Sequence, residues 1–227
     1  MSGPTLGDYA RMARRGSLFR AWSYFWETHV YDLLRRTDTA HWRPKSSPNL
    51  PNGEHGYGYE PSYTCEIRRC LAIVARQALL EAYDFYDLGC GKGKALLVAG
   101  RMGVRGVTGV EYDPELVEIA RRNLRILGLG GRVVEADAAR FAEYEPRSIV
   151  YFFNPFDEDL LRIVLKTLER MTTECIAIYT NPTHPAAFSG WRTVATTSGR
   201  HSSLVSHIYQ YEAQRSPHGS DLRPTPR

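Results

Sequence analysis

Long apolar runs are missing from this chain of 227 residues: nothing approaches the ~20 consecutive apolar residues that cross a bilayer, so no membrane-spanning helix is expected. An excess of one charge is missing too. Lys and Arg number 29 against 25 Asp and Glu, and the basic residues are dispersed among the acids. That balance permits nucleic acid as a partner without indicating it. Cysteine is sparse. Cys65, Cys70, Cys90 and Cys175 fall in expected helix, glycine turn and strand, and no Cys/His pair accompanies Cys65 and Cys70. A disulfide scaffold and a zinc site are therefore disfavoured, and no metal is expected. The first residues do not resemble a signal peptide, which with the free thiols favours a cytoplasmic setting. Two nucleotide signatures are also absent. There is no G-x-x-x-x-G-K-[ST] to cradle a triphosphate and no G-x-G-x-x-G of the dinucleotide folds.

What the chain does contain is YDFYDLGCGKGKALLVA at residues 83–99. Phe85, Tyr86 and Leu88 read as a strand carrying Asp87. Gly89, Gly91 and Gly93 follow at alternate positions, and Ala95, Leu96, Leu97 and Val98 open a helix. Strand, glycine turn and helix together aim unsatisfied backbone N–H groups at a ligand. Lys94 occupies the slot where a dinucleotide fold would have its third glycine, so the pattern is D-x-G-x-G-x-G.

Three more strand ends follow. Residues 107–111 end in Glu111, about 20 residues beyond the glycines, where a carboxylate can accept from both ribose hydroxyls. Residues 132–137 end in Glu135, Ala136 and Asp137, and residues 148–153 run into Asn154, Pro155 and Phe156. Asp113 and Pro114 supply a helix cap and first helical position, and Gly128, Gly130 and Gly131 stop that helix. A helix over 157–171, a fifth strand over 175–179, and two last strands over 191–195 and 204–211 complete the pattern. Such alternation predicts an α/β fold, a doubly wound and mostly parallel seven-stranded sheet that binds ligand at the carboxyl ends of its strands. Asp87, Glu111, Asp137 and Asn154 should meet at that edge.

The glycine turn resembles motif I of the class I S-adenosylmethionine-dependent methyltransferases, and the other three strand ends match that family in order and spacing. The resemblance covers about residues 57–211. It implies a Rossmann-like methyltransferase and S-adenosyl-L-methionine as cofactor, held by Tyr59, Glu60, Asp87, Gly89, Cys90, Gly91, Gly93, Glu111, Tyr112, Asp137, Ala138 and Asn154. In the family the acid at the third strand end takes the adenine amino group, which assigns that role to Asp137. Asn154-Pro155-Phe156 resembles the Asn/Asp-Pro-Pro-aromatic motif of amine-directed enzymes, lacking its second proline. Tyr59-Glu60-Pro61-Ser62 resembles the same region of the non-SET histone lysine methyltransferases and related bacterial enzymes. Glu60 fits a helix-terminus carboxylate as well as a cofactor ligand.

The acceptor stays open between a protein lysine or other amine, oriented by Asn154 and walled by Phe156, and a hydroxyl on a small molecule, with His184 as base. A non-catalytic module that only binds the cofactor is the reading of a different class. Oligomeric state is open.

Around this domain, expected over residues 61–212, lie an N-terminal extension over 1–60 and a tail over 213–227 expected to be disordered. Within the extension, Leu18, Trp22, Phe25, Trp26, Val30, Leu33 and Leu34 recur at helical spacing and predict an apolar face opposite Glu27 and Asp32. That helix reads as packed on the body, as a lid over the substrate, or as lying on a membrane surface. Residues 41–59 read as a loop in which Tyr57 and Tyr59 line the cleft or anchor the loop, and a helix is predicted over 62–80. Lys92 and Lys94 are expected in solvent.

Overall fold

In the computed structural model, the described residues are 10, 14, 18–40, 62–153, 156–198 and 204–213. Five strands run parallel: β1 (Asp84–Leu88), β2 (Gly106–Glu111), β3 (Arg132–Glu135), β4 (Arg147–Phe153) and β5 (Glu174–Thr180). Two more, β6 (Arg192–Ser198) and β7 (Val205–Glu212), are antiparallel, and the order across the sheet is β3-β2-β1-β4-β5-β7-β6. Six of the seven strands lie within a residue or two of where the apolar pattern places them, and β6 runs three residues past its expected end.

Side chains alternate across the pleat, and two cores result. Phe85, Ile149, Tyr151 and Ile178 pack on one face with three helices, Thr64–Val74, Lys94–Arg101 and Pro114–Ile126. Tyr86, Leu88, Val150 and Phe152 pack on the other face with the helix Glu158–Met171. Parallel strands covered on both faces carry the near-continuous apolar runs seen in the sequence. Local chemistry starts the helices: Asp113 accepts from Glu115 N at 2.9 Å ahead of Pro114, and Asp157 accepts from Leu160 N at 2.9 Å.

In chain order the helices are α1 (Leu18–Phe25), α2 (Tyr31–Arg35), α3 (Thr64–Val74), α4 (Lys94–Arg101), α5 (Pro114–Ile126) and α6 (Glu158–Met171). The helix expected over 62–80 is shorter. It gives way at Ala75 to turns and a 3₁₀ segment at Leu80–Ala82, and Leu79 is exposed.

The N-terminal segment departs most from its reading. A π-helical stretch, Trp26–Val30, separates α1 from α2, and the amphipathic sense is reversed. Leu18, Trp22, Leu33 and Leu34 face outward, at 58–79% exposure, whereas Glu27 and Tyr31 are buried and Asp32 is turned to the body. Asp32 accepts from Thr37 Oγ1, Thr39 N, Thr39 Oγ1 and Ala40 N at 2.6–2.8 Å, which folds the chain back after α2. The reversal has a physical cause in the glycine turn, where two buried lysines need counter-charges.

Candidate active site

Gly89, Gly91 and Gly93 all adopt left-handed backbone, with φ of +79°, +52° and +81°. At Gly93 the requirement is double, because a Cβ would also lie 3.2 Å from the Cβ of Ala120 on α5. Gly89 N and Cys90 N donate to Val110 O at 2.8 and 3.1 Å, and Gly93 N donates to Cys90 O at 2.8 Å. The loop is thereby pressed onto the end of β2. Beneath it Gly109 leaves room for the Cys90 sulfur, which a Cβ would approach to 2.6 Å.

Two carboxylates stand under the loop on neighbouring strands. Asp87 is buried near the end of β1, and burial, reinforced by the charge of Glu111, pushes its carboxyl up to about 8. Glu111 closes β2. Its Oε2 accepts from Gly91 N at 2.8 Å, and its Oε1 accepts from Tyr112 N and Asp113 N at 3.0 and 3.1 Å. Burial raises its pKa while those three amides oppose the rise. Cys90 is buried beside both acids, and its thiol is pushed well up by burial and then by Asp87 and Glu111. The half-buried Tyr112 has its hydroxyl raised by burial and then by Glu111.

Asp137 sits two residues beyond β3, and Ala136 N donates to Glu111 O at 2.9 Å, so the third strand end meets the second. Asp137 Oδ1 accepts from Ala139 N at 2.9 Å, and Ala138 is buried in the core that packs on α6. Phe156 is buried in the same core, its ring 6.3 Å from that of Phe152 in an edge-on pair. His184 follows β5. Its Nδ1 is 3.7 Å from Glu158 Oε2 at the start of α6, and its N–H donates to the Tyr179 hydroxyl at 3.3 Å. Tyr59, Glu60, Asn154 and Pro155, with Tyr57 and the tail beyond 213, lie outside the described residues.

Sequence reasoning missed the groups around the two lysines. Lys92 and Lys94, expected in solvent, are 1% and 3% exposed. Lys94 Nζ is 2.9 Å from Glu27 Oε2 and 4.9 Å from the centre of the Tyr31 ring, and Lys92 Nζ is 2.7 Å from Asp38 Oδ1. Asn123, fully buried on α5, accepts from Asp38 N at 3.0 Å and donates to both Asp38 O and Lys92 O at 2.9 Å. One signal was available. Ala95, Leu96, Leu97, Val98 and Ala99 leave α4 no polar side in its first turns, so a lysine at its start has little solvent to reach and must find an acid.

A family model described as a methyltransferase domain matches residues 85–175, from β1 to the start of β5. Residues 85–175 therefore carry a methyltransferase domain. Ribosomal protein L11 methyltransferase from Dechloromonas aromatica is 33% identical over 95 residues, covering 42% of this chain and 30% of the relative. Trans-aconitate 2-methyltransferase from Rhizobium etli is 35% identical over 94 residues, covering 41% of this chain and 34% of the relative. The chain thus spans about a third of the length of these relatives. Among solved structures, an RNA methyltransferase from Salinibacter ruber in complex with S-adenosyl-L-homocysteine shares the fold, with a TM-score of 0.51 and 19% identity over 71% of this chain and 99% of that one. No helix among the described residues is long and apolar enough to cross a membrane, and no group of His, Cys, Asp and Glu among them could hold a metal ion.

Proposed function

We propose that this chain is a metal-independent methyltransferase of the cytoplasm that uses S-adenosyl-L-methionine to methylate an amine, on a protein lysine or a small molecule. The observation that carries the reading is the pair Asp87 and Glu111 on adjacent strand ends beneath a loop of three left-handed glycines. The donor set fits the cofactor. A buried carboxyl at Asp87 suits an ammonium, and Glu111 Oε2 accepts one amide, which leaves it acceptor capacity for a ribose hydroxyl. Amides at the N-terminus of α4 suit a carboxylate, and Asp137 is assigned the adenine amino group with Ala138 and Tyr112 beside the ring.

The cofactor supplies a sulfonium-activated methyl group. The chain's part is then to align the acceptor and keep water out, because in-line transfer needs orientation more than acid or base. Asn154, one residue past the end of β4, is assigned to accept an amine N–H so that the nitrogen lone pair is presented. Phe156, the acceptor-side aromatic, is anchored in the core. A protein acceptor is in keeping with the relatives that act on ribosomal protein L11.

A second reading, methylation of a hydroxyl on a small molecule, rests on His184 held beside Glu158 at the same sheet edge, where it could take the acceptor's proton. The trans-aconitate relatives keep a small-molecule acceptor in play.

Incubation with labelled donor and a lysate, with label sorted into protein, nucleic acid and small molecules, tests both. Loss of label in Asn154→Ala with unchanged cofactor affinity supports the amine, and loss confined to His184→Ala supports the hydroxyl. Tight cofactor binding with no label in any fraction would identify a non-catalytic binding module.

A further inference from the structure

The cofactor loop has one internal backbone hydrogen bond, Gly93 N to Cys90 O, and leans on its neighbours for the rest of its shape. Its residues from 89 to 93 include three left-handed glycines, and glycine backbone is the most permissive in the chain. Its conformation is imposed by neighbours: Val110 O and Glu111 from β2, Asn123 from α5, and the acids of the N-terminal segment. The last of these carry charge that the loop requires. Lys94 is the first residue of α4, where the helix dipole opposes a cation. Its ammonium and that of Lys92 have side chains only 2% exposed, and a buried unpaired ammonium is strongly disfavoured. Without Glu27, Lys94 must swing to water and take the backbone beside Gly93 with it, and without Asp38, Lys92 loses its 2.7 Å ion pair between Gly91 and Gly93.

Glu27 also reaches past the loop. Its Oε1 accepts from Thr64 N at 2.8 Å and its Oε2 from Thr64 Oγ1 at 2.9 Å, at the first residue of α3. One buried carboxylate therefore joins the N-terminal segment, the glycine loop and the helix that packs in front of β1. Asp38 is fixed independently, by the Asn123 amide that grips both its N–H and its carbonyl.

We propose that Glu27 and Asp38 are positioning residues for the cofactor, and that residues 18–40 form a strap whose docking on Lys94 and Lys92 is energetically coupled to occupancy of the glycine loop. The inference rests on the cofactor reading given above. Coupling of this kind is reciprocal: a docked strap preorganises the loop for ligand, and ligand in the loop favours the docked strap.

The test uses the full chain and S-adenosyl-L-homocysteine, followed by calorimetry and by hydrogen exchange at residues 37–40. Glu27→Gln keeps an acceptor for Thr64 and removes the charge. It is expected to weaken binding by about tenfold, a typical coupling, and adding Lys94→Met, which removes the stranded ammonium, is expected to restore most of the loss. Asp38→Asn, at a side chain 34% exposed, should weaken binding in the same direction. In the unaltered protein, ligand should slow exchange at residues 37–40, and in Glu27→Gln it should slow it much less. Variants that melt earlier yet bind with unaltered affinity would overturn the strap and leave the cofactor reading standing. Absence of binding in the unaltered protein would remove both.

Discussion

Gly109 and Cys90 are in such close contact that the strand and the loop above it cannot both be kept if Gly109 acquires a side chain. A Cβ there would lie 2.6 Å from the Cys90 sulfur and 2.8 Å from Leu96 Cδ1, and neither neighbour is the loose end of a long side chain. Gly109→Ala should cost about 1–3 kcal/mol, the range for overpacking, in urea denaturation. Because the strain falls on the loop, S-adenosyl-L-homocysteine affinity should fall with it. An alanine variant of unchanged stability and affinity would show that the loop can move away freely.

Asp87 makes cofactor binding depend on pH. Its carboxyl is raised from the ordinary 3.8 to about 8, first by burial and then by Glu111, and the buried Cys90 and Tyr151 lie close enough to feel its charge. A raised acid favours the protonated folded form, so this group's contribution to stability is full below 3.8 and is lost as pH rises toward 8. A ligand ammonium acts in the opposite sense by favouring the ionised carboxylate. Binding near neutral pH should therefore release a proton, and affinity should rise with pH until about 8. Calorimetry in buffers of different ionisation enthalpy reads the proton directly, and Asp87→Asn should abolish its release.

The Asn123 side-chain amide joins α5, the strap and the loop. Asn123→Leu keeps the volume and leaves Asp38 N–H, Asp38 O and Lys92 O without their partner. Unsatisfied buried polar groups cost about 1–3 kcal/mol each, so the loss in urea denaturation should be at least about 2 kcal/mol. Retention of full stability would mean that water replaces the amide at no cost.

The opposite edge of the sheet supplies a contrast. There the Tyr83 hydroxyl donates to Glu174, Arg147 Nη2 donates to the same hydroxyl at 2.9 Å, and the Arg147 guanidinium lies 4.4 Å over the Tyr83 ring. Burial, then the Glu174 hydrogen bond, pushes the Tyr83 hydroxyl up to about 12. Tyr83→Phe should lower stability by about 1 kcal/mol, one ordinary hydrogen bond. Cofactor affinity should not change, since this network lies at the amino ends of β1 and β5. A loss of affinity in Tyr83→Phe would place the ligand somewhere other than the carboxyl edge.

The sheet was legible because each strand is an apolar run set off by turn chemistry, and the order of acids at strand ends identified the edge. Asp113 before Pro114 and the alternating glycines were equally readable, since those residue types have few other uses in such positions. The N-terminal segment was misread for a definable reason. Periodicity reports which residues share a helix face, and the inward face was assigned by hydropathy alone. Here Glu27 and Asp32 turn inward because buried Lys94 and the folded-back turn at 37–40 demand acceptors. Those partners are distant in sequence, Glu27 by 67 residues from Lys94, and no local pattern announces them. The π-helical stretch at Trp26–Val30 further broke the regular spacing on which the reading relied.

The strap also sets an order of events during synthesis. Asp38 leaves the ribosome 85 residues before Asn123, and Glu27 leaves 67 before Lys94. The first part of the described chain to be made thus has to wait, with its acids in water, until the sequence carrying β1, α4, β2 and most of α5 supplies their sockets. Its docking closes loops of 67 and 85 residues, and the nascent domain can shape its cofactor loop only once the sequence through Asn123 has been made.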